Sequence, residues 1–221
     1  MPRDSASAIP TEDLLKAYTL GYFPMARARD DATAVWVLPD ERGIIPLDAA
    51  RAPKRLLRVL KTEPFEIRIN TAFPAVIDAC AEATKARPET WINDAIIEAY
   101  TELHFQGRAH SIECWKDGKL AGGLYGVVLG AAFCGESMFS RATNASKIAM
   151  LHLIARLKIG GFHFIDAQFY NEHLTQFGLI GMANDDYQVI LETALDAEAD
   201  FFAAGDQLST ARVLQSITQT S

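Results

Sequence analysis

The sequence predicts an α+β fold: a mixed sheet flanked by helices, in the order of an acyl-CoA N-acetyltransferase, preceded by a small N-terminal domain. Three observations carry this. Hydrophobic residues make up 49% and charged residues 22% of the 221, a composition that buries a real core. Three short apolar segments follow one another between residues 110 and 139, the first two separated by Asp117-Gly118, a strong hairpin signal. Helical periodicities bracket them on both sides, which gives the order strand, two helices, three antiparallel strands, helix, strand, helix, strand.

The first helix is expected from Thr11 to Tyr18, with Thr11 as cap, Glu12 and Asp13 in the positive first turn, and Gly21 and Pro24 as terminators. The stretch VWVLPDERGIIPLD reads as turn-rich, and the boundary of a small N-terminal domain (1–48) is expected near Asp48. A second helix should run from Pro53 through Lys61. At 100° per residue, Arg51, Lys54, Arg55, Arg58 and Lys61 share one face and Leu56, Leu57, Val59 and Leu60 the other, which makes the cationic face a candidate phosphate contact or a solvated helix surface.

FEIRIN alternates as a strand, and helices over Phe73–Ala83 and Ile92–Phe105 follow. The strands His110–Trp115, Leu120–Val127 and Ala131–Phe139 form a meander. Asn144 should cap a helix that reaches Ile159 and closes at Gly160-Gly161. FHFIDAQ (162–168) is then a buried strand, followed by a short helix near Glu172–Phe177 and a segment at Tyr187–Leu195 readable as strand or helix. These elements make up the main domain (49–205). The last sixteen residues (206–221) hold nine Ser, Thr or Gln and read as a loose polar tail.

Composition narrows function. A net charge of −7 leaves no whole-chain attraction to nucleic acid, so any such contact needs a local basic patch. Cys80, Cys114 and Cys134 are far apart without a Cys-x-x-Cys pair, so neither a disulfide framework nor a metal site is suggested, and a cytoplasmic location fits. MPRDSASAIP lacks the apolar stretch of a secretory signal, and the uncharged run Leu120–Gly135 is shorter than the ~18–20 residues a membrane span needs. No P-loop, Gly-x-Gly-x-x-Gly, His-Glu-x-x-His or Gly-x-Ser-x-Gly motif occurs, so ATP, dinucleotide, zinc and serine-nucleophile chemistry lack support, and no cofactor is expected.

Within FHFIDAQ the period of two puts Phe162, Phe164, Asp166 and Gln168 on one face and His163, Ile165 and Ala167 on the other. An acid and an amide at the end of an apolar strand are costly unless hydrogen-bonded, so they either cap local backbone or bind a substrate. Glu136, in CGESMFS, ends another apolar strand. If that strand and FHFIDAQ lie side by side, Glu136, Asp166 and Gln168 converge.

Taken together, LLKAYTLGYFPMA, RGIIPLD, TWINDAIIEAYTELHFQGRAHSIECW, AGGLYGVVLG, FCGESMFSRATNASKIAMLHL and FIDAQFYNEHLTQFG resemble the leucyl/phenylalanyl-tRNA–protein transferases of bacteria. The resemblance spans roughly residues 11–180. It implies an aminoacyltransferase that moves leucine or phenylalanine, and by pocket chemistry methionine, from aminoacyl-tRNA onto proteins beginning with arginine or lysine, marking them for degradation by the N-end rule. It also implies that Asp166 and Gln168 are the catalytic pair, that Glu136 helps hold the acceptor amine or the aminoacyl group, and that Leu124, Phe133, Met138, Met150, Leu153, Leu157 and Ile165 form the apolar pocket. Trp91 would stack near the terminal adenosine. Met25 and Val37 depart from the tryptophans common at those positions.

The chemistry needs neither ATP nor metal, because an aminoacyl ester is already activated. The protein supplies alignment of amine and carbonyl and a place for a proton, here expected to be Asp166 oriented by Gln168. Two other readings stay open at this point: an acetyl-CoA-dependent N-acetyltransferase, although no Gln/Arg-x-x-Gly-x-Gly/Ala pyrophosphate loop occurs, and a non-catalytic tRNA- or peptide-binding adaptor.

Overall fold

The computed structural model describes residues 8–84 and 88–219. Most of the MPRDSASAIP start and the last two residues of the expected tail lie outside them. Helix α1 (Thr11–Thr19) buries Leu14 and Tyr18, four residues apart on one face. Its cap is not Thr11 but Pro10, whose extended backbone (φ −61°, ψ 135°) leads into the first turn. Thr11 is already helical, and its hydroxyl accepts from Gln106 Nε2 at 3.1 Å instead.

The stretch expected to be turn-rich builds strands. β1 (Phe23–Met25) and β2 (Val35–Val37) pair antiparallel as a small separate sheet. β3 (Glu41–Pro46) belongs to the main sheet, with Arg42, Gly43, Ile44 and Ile45 buried. Pro39 and Pro46 mark the ends of these strands without interrupting them, which is why the composition misleads. Residues on both sides of Asp48 therefore contribute to one sheet.

Helix α2 (Lys54–Leu60) buries Leu56 and Leu60, while Arg51, Lys54, Arg55, Arg58 and Lys61 are all exposed. After β4 (Glu66–Ile69), helices α3 (Phe73–Ala81) and α4 (Asp94–Phe105) follow, and Asn93 caps α4 by accepting from the Ile96 amide. The meander is β5 (Ala109–Lys116), β6 (Lys119–Leu129) and β7 (Ala132–Ser140). Asp117 and Gly118 both take the positive φ that a two-residue hairpin turn of this hand demands (50° and 69°).

Helix α5 (Ala145–Ile159) starts and stops where expected, but Asn144 sits in the left-handed region (φ 67°) and makes no side-chain cap bond. β8 is only Phe164–Asp166, because the chain turns away at Gln168, itself at φ 58°. A 3₁₀ turn (Glu172–Phe177), an unanticipated strand β9 (Ile180–Ala183) and α6 (Asn184–Leu195) follow, so the ambiguous segment at 187–195 is helical. In place of the expected loose tail, α7 (Thr210–Thr218) is capped by Ser209 and buries Val213 and Ile217.

The seven-stranded sheet runs β4-β5-β6-β7-β8-β3-β9, antiparallel except where β7 and β8 pair in parallel. One face, with Leu124, Phe133 and Ile165, packs in a core shared with Leu56, Leu151, Leu157 and Val213 of α2, α5 and α7. The opposite face, with Ile44, Tyr125, Cys134 and Phe164, packs against Leu14, Val76, Ile96 and Leu191 of α1, α3, α4 and α6. No helix among the described residues is long and apolar enough to cross a membrane.

Candidate active site

The expected neighbours meet. Cys134 of β7 pairs with Asp166 of β8, so Glu136 and the Asp166–Gln168 turn share one end of the sheet. What aims Glu136 is a β-bulge: Tyr125 pairs with Ser137 and Gly126 with Gly135, which leaves Glu136 as the extra residue. The bulge also changes the parity of β7, so Met138 joins Leu124 and Phe133 on the α5 face. Neither effect is visible from residue types.

Glu136 is held by three donors. Tyr18 Oη of α1 donates to Oε1 at 2.6 Å, Gln168 Nε2 donates to the same oxygen at 3.2 Å, and Tyr100 Oη of α4 donates to Oε2 at 3.0 Å. The two tyrosine oxygens also lie within hydrogen-bonding contact of each other, but neither has a second hydrogen for that contact while both donate to Glu136. A carboxylate offers about four lone-pair directions, so one on Oε2 stays available. Burial pushes the Glu136 carboxyl up to about 7, against the opposing pull of the tyrosine hydrogen bonds. Both tyrosine hydroxyls are held well above their usual range by burial and by the Glu136 charge, so they remain donors at neutral pH.

Glu136 and Gln168 open onto a cavity of about 400 Å³ between the sheet and α5. Leu124, Met138, Met150, Leu153 and Ile165 give it an apolar wall, and Ser146, Lys147, Asn171 and His173 a polar mouth. Phe133 and Leu157, also expected there, are fully buried behind that wall in the same core. Trp91 lies elsewhere, half-buried against the N-terminal unit, where its carbonyl accepts from the Ala26 amide at 2.9 Å.

Asp166 is placed differently from the expectation. Its side chain points to the face opposite Ile165, away from the cavity, as the alternation of a strand requires. There it is fully buried and bonded on every side: Arg42 Nε and Nη2 donate to its two oxygens at 2.9 and 2.6 Å, Tyr187 Oη at 2.9 Å, and the Gln168 amide at 2.8 Å. Arg42 and Tyr187 were not singled out from the sequence. The loop carrying Gln168 rests on β3, where the Gly43 amide donates to Gln168 O at 3.2 Å and Gly43 O accepts from Ala167. A Cβ at Gly43 would stand 2.4 Å from Phe169 O, so only glycine permits this approach.

A carboxyl near neutrality with a spare lone pair, beside an amide donor and an apolar cavity, suits transfer of an apolar acyl group to an amine. Sequence comparison names the group. The family model of the leucyl/phenylalanyl-tRNA protein transferases matches residues 44–192. The chain belongs to that family. Leucyl/phenylalanyl-tRNA–protein transferases of Maricaulis maris and Phenylobacterium zucineum are each 51% identical to it, over 95% of this chain and 97% of their own. That of Paramagnetospirillum magneticum is 56% identical over 86% of this chain and 90% of its own. As a member of the leucyl/phenylalanyl-tRNA–protein transferase family the chain is an enzyme, with an aminoacyl-tRNA donor and a protein acceptor.

Proposed function

We propose that this enzyme transfers leucine, phenylalanine or methionine from tRNA to the amino-terminal arginine or lysine of acceptor proteins in the cytoplasm, with Glu136 as the proton acceptor. The observation that carries the assignment is that Glu136 is the one carboxylate, among the described residues, lining the apolar cavity. The donor's side chain enters between Met150, Leu153 and Ile165, where each buried methylene gains ~0.8 kcal/mol. The amine nitrogen attacks the ester carbonyl, and the N–C bond forms as its proton passes to Oε2. The C–O bond then breaks, and that proton is returned to the departing ribose oxygen. An α-amine with a pKa of about 7.7–8.0 is well matched to a base near 7. Gln168, which already donates to Glu136, has its remaining amide hydrogen to offer the tetrahedral oxygen.

Asp166, in this reading, fixes Gln168 and touches no substrate. The acceptor's basic first residue suits the chain's acidic surplus, and the strand and helix order supports an acetyltransferase-like descent without acetyl-CoA use. Incubation with radiolabelled leucyl-tRNA and a protein starting with arginine should give labelled product, and one starting with alanine should not. Equal labelling of both would overturn the acceptor assignment.

Two further outcomes are expected. The Tyr100 hydrogen bond lowers the Glu136 pKa, so Tyr100→Phe should raise it and move the acid limb of kcat against pH to higher pH; a limb that stays in place refutes the base. The exposed cations of α2 are the candidate phosphate contacts. Replacing Arg55 and Arg58 by Glu should lower the slope of log binding constant against log salt by roughly 1–2, since each lost phosphate contact removes about 0.7–0.9. An unchanged slope would place the tRNA elsewhere.

A further inference from the structure

Two arms converge on Glu136 Oε1: the Tyr18 hydroxyl at the end of α1 and the Gln168 carboxamide after β8. They come from segments 150 residues apart in sequence, and each ends at the same half-buried side chain. Arg42 Nη1 donates to Gly21 O at 2.8 Å, at the turn (Gly21 φ 81°) that closes α1 three residues after Tyr18. Through Nε and Nη2 the same guanidinium grips both oxygens of Asp166, whose Oδ1 accepts the amide of Gln168 and so fixes its left-handed backbone. The guanidinium plane is itself held, 4.4 Å from the Tyr187 ring centroid and 5.2 Å from that of Phe23.

We propose that Arg42 is a positioning residue for the transfer reaction, setting the separation of Tyr18 and Gln168 around Glu136 by bracing Gly21 and Asp166 at once. It rests on the assignment of Glu136 as proton acceptor. A rigid planar fork whose three nitrogens reach Gly21 O, both oxygens of Asp166 and the Tyr187 hydroxyl at fixed angles is something a lysine ammonium cannot reproduce. Arg42 does not line the cavity, so its effect is exerted on geometry and not on substrate contact.

The charged and titratable groups around Glu136 are Tyr18 of α1, Tyr100 of α4, Cys134 of its own strand, Asp166 of β8 and Arg42 of β3, with Tyr125 of β6, Lys147 of α5 and His173 lining the same cavity. Asp166 raises and Arg42 lowers the Glu136 carboxyl, so replacing both by neutral groups removes two opposed influences together. What remains is the loss of the Tyr18 hydrogen bond, which raises the Glu136 pKa.

The test uses the full-length enzyme with leucyl-tRNA and an arginine-starting acceptor. Arg42→Lys keeps the charge, and Arg42→Met with Asp166→Asn removes the pair as a neutral unit. In both, kcat per folded molecule should fall, by ~10–100-fold in the double variant, the size expected for a misplaced catalytic group. The KM for aminoacyl-tRNA should stay within about threefold, and the acid limb should move to higher pH. A purely structural brace would lower the melting temperature alone. Wild-type kcat and acid limb in the folded variants would overturn the inference, as would a change confined to KM. Should the double variant not fold, Arg42→Lys decides by the same readouts. Glu136→Gln measured in parallel separates the two claims: its full activity sinks the proton-acceptor reading, whereas its inactivity beside wild-type-like Arg42 variants sinks only the bracing role.

Discussion

Glu136→Gln should lower kcat by roughly 10²–10⁴-fold, the usual contribution of a positioned general base, while tRNA binding persists. The amide is nearly isosteric, so the cavity and the bulge that presents residue 136 are kept. Oxygen can still accept from Tyr18 or Tyr100, but the group has no basic lone pair at neutral pH. The residual rate should lose the acid limb expected of the wild-type enzyme near pH 7, because the group responsible, raised to about 7 by burial, is gone. Single-turnover transfer from pre-bound leucyl-tRNA across pH 5.5–9 would check both, as estimates of rate and of limb, without interference from tRNA binding. Retention of the limb in this variant would transfer the titrating role to another group.

The fold was largely legible because its elements are locally self-consistent. The meander announced itself through Asp117-Gly118, α5 through its glycine terminus, and β8 through an apolar run beside β7. Where reading failed, a composition signal hid a pattern. The prolines and acids of VWVLPDERGIIPLD masked two strands, and with them Arg42, whose burial makes sense only once Asp166 is seen opposite it. Val213 and Ile217, four residues apart, already describe an amphipathic helix, but the surrounding Ser, Thr and Gln outvoted them. The alternation in FHFIDAQ already sets Asp166 on the face opposite Ile165, and it is Ile165 that lines the cavity. Glu136's orientation was out of reach, because a bulge is a register event between two strands and neither strand carries it alone.

Removing Asp166 provides the sharpest separation between a chemical and an architectural role for that acid. Arg42 and Asp166 are both fully buried, and breaking such a pair from one side costs about 3–5 kcal/mol, because the surviving charge is left without its partner. For a chain of this size that corresponds to a melting temperature lower by roughly 6–20 °C, at ~2–4 °C per kcal/mol. Asp166→Ala should therefore melt early, and its transfer activity should be poor even at temperatures where it is folded, since the Gln168 amide loses the acceptor that holds it at φ 58°. Asp166→Asn keeps an oxygen for that amide and should recover part of the stability and part of the rate together. A substrate-contacting base behaves otherwise: the alanine variant would melt with the wild-type enzyme and yet transfer nothing, and asparagine would restore no activity. Thermal melts paired with single-turnover rates for the two variants distinguish these outcomes. The geometry requires the first, because an acid whose oxygens already accept from Arg42, Tyr187 and Gln168, on the face of the sheet away from the cavity, has no lone pair directed at a substrate.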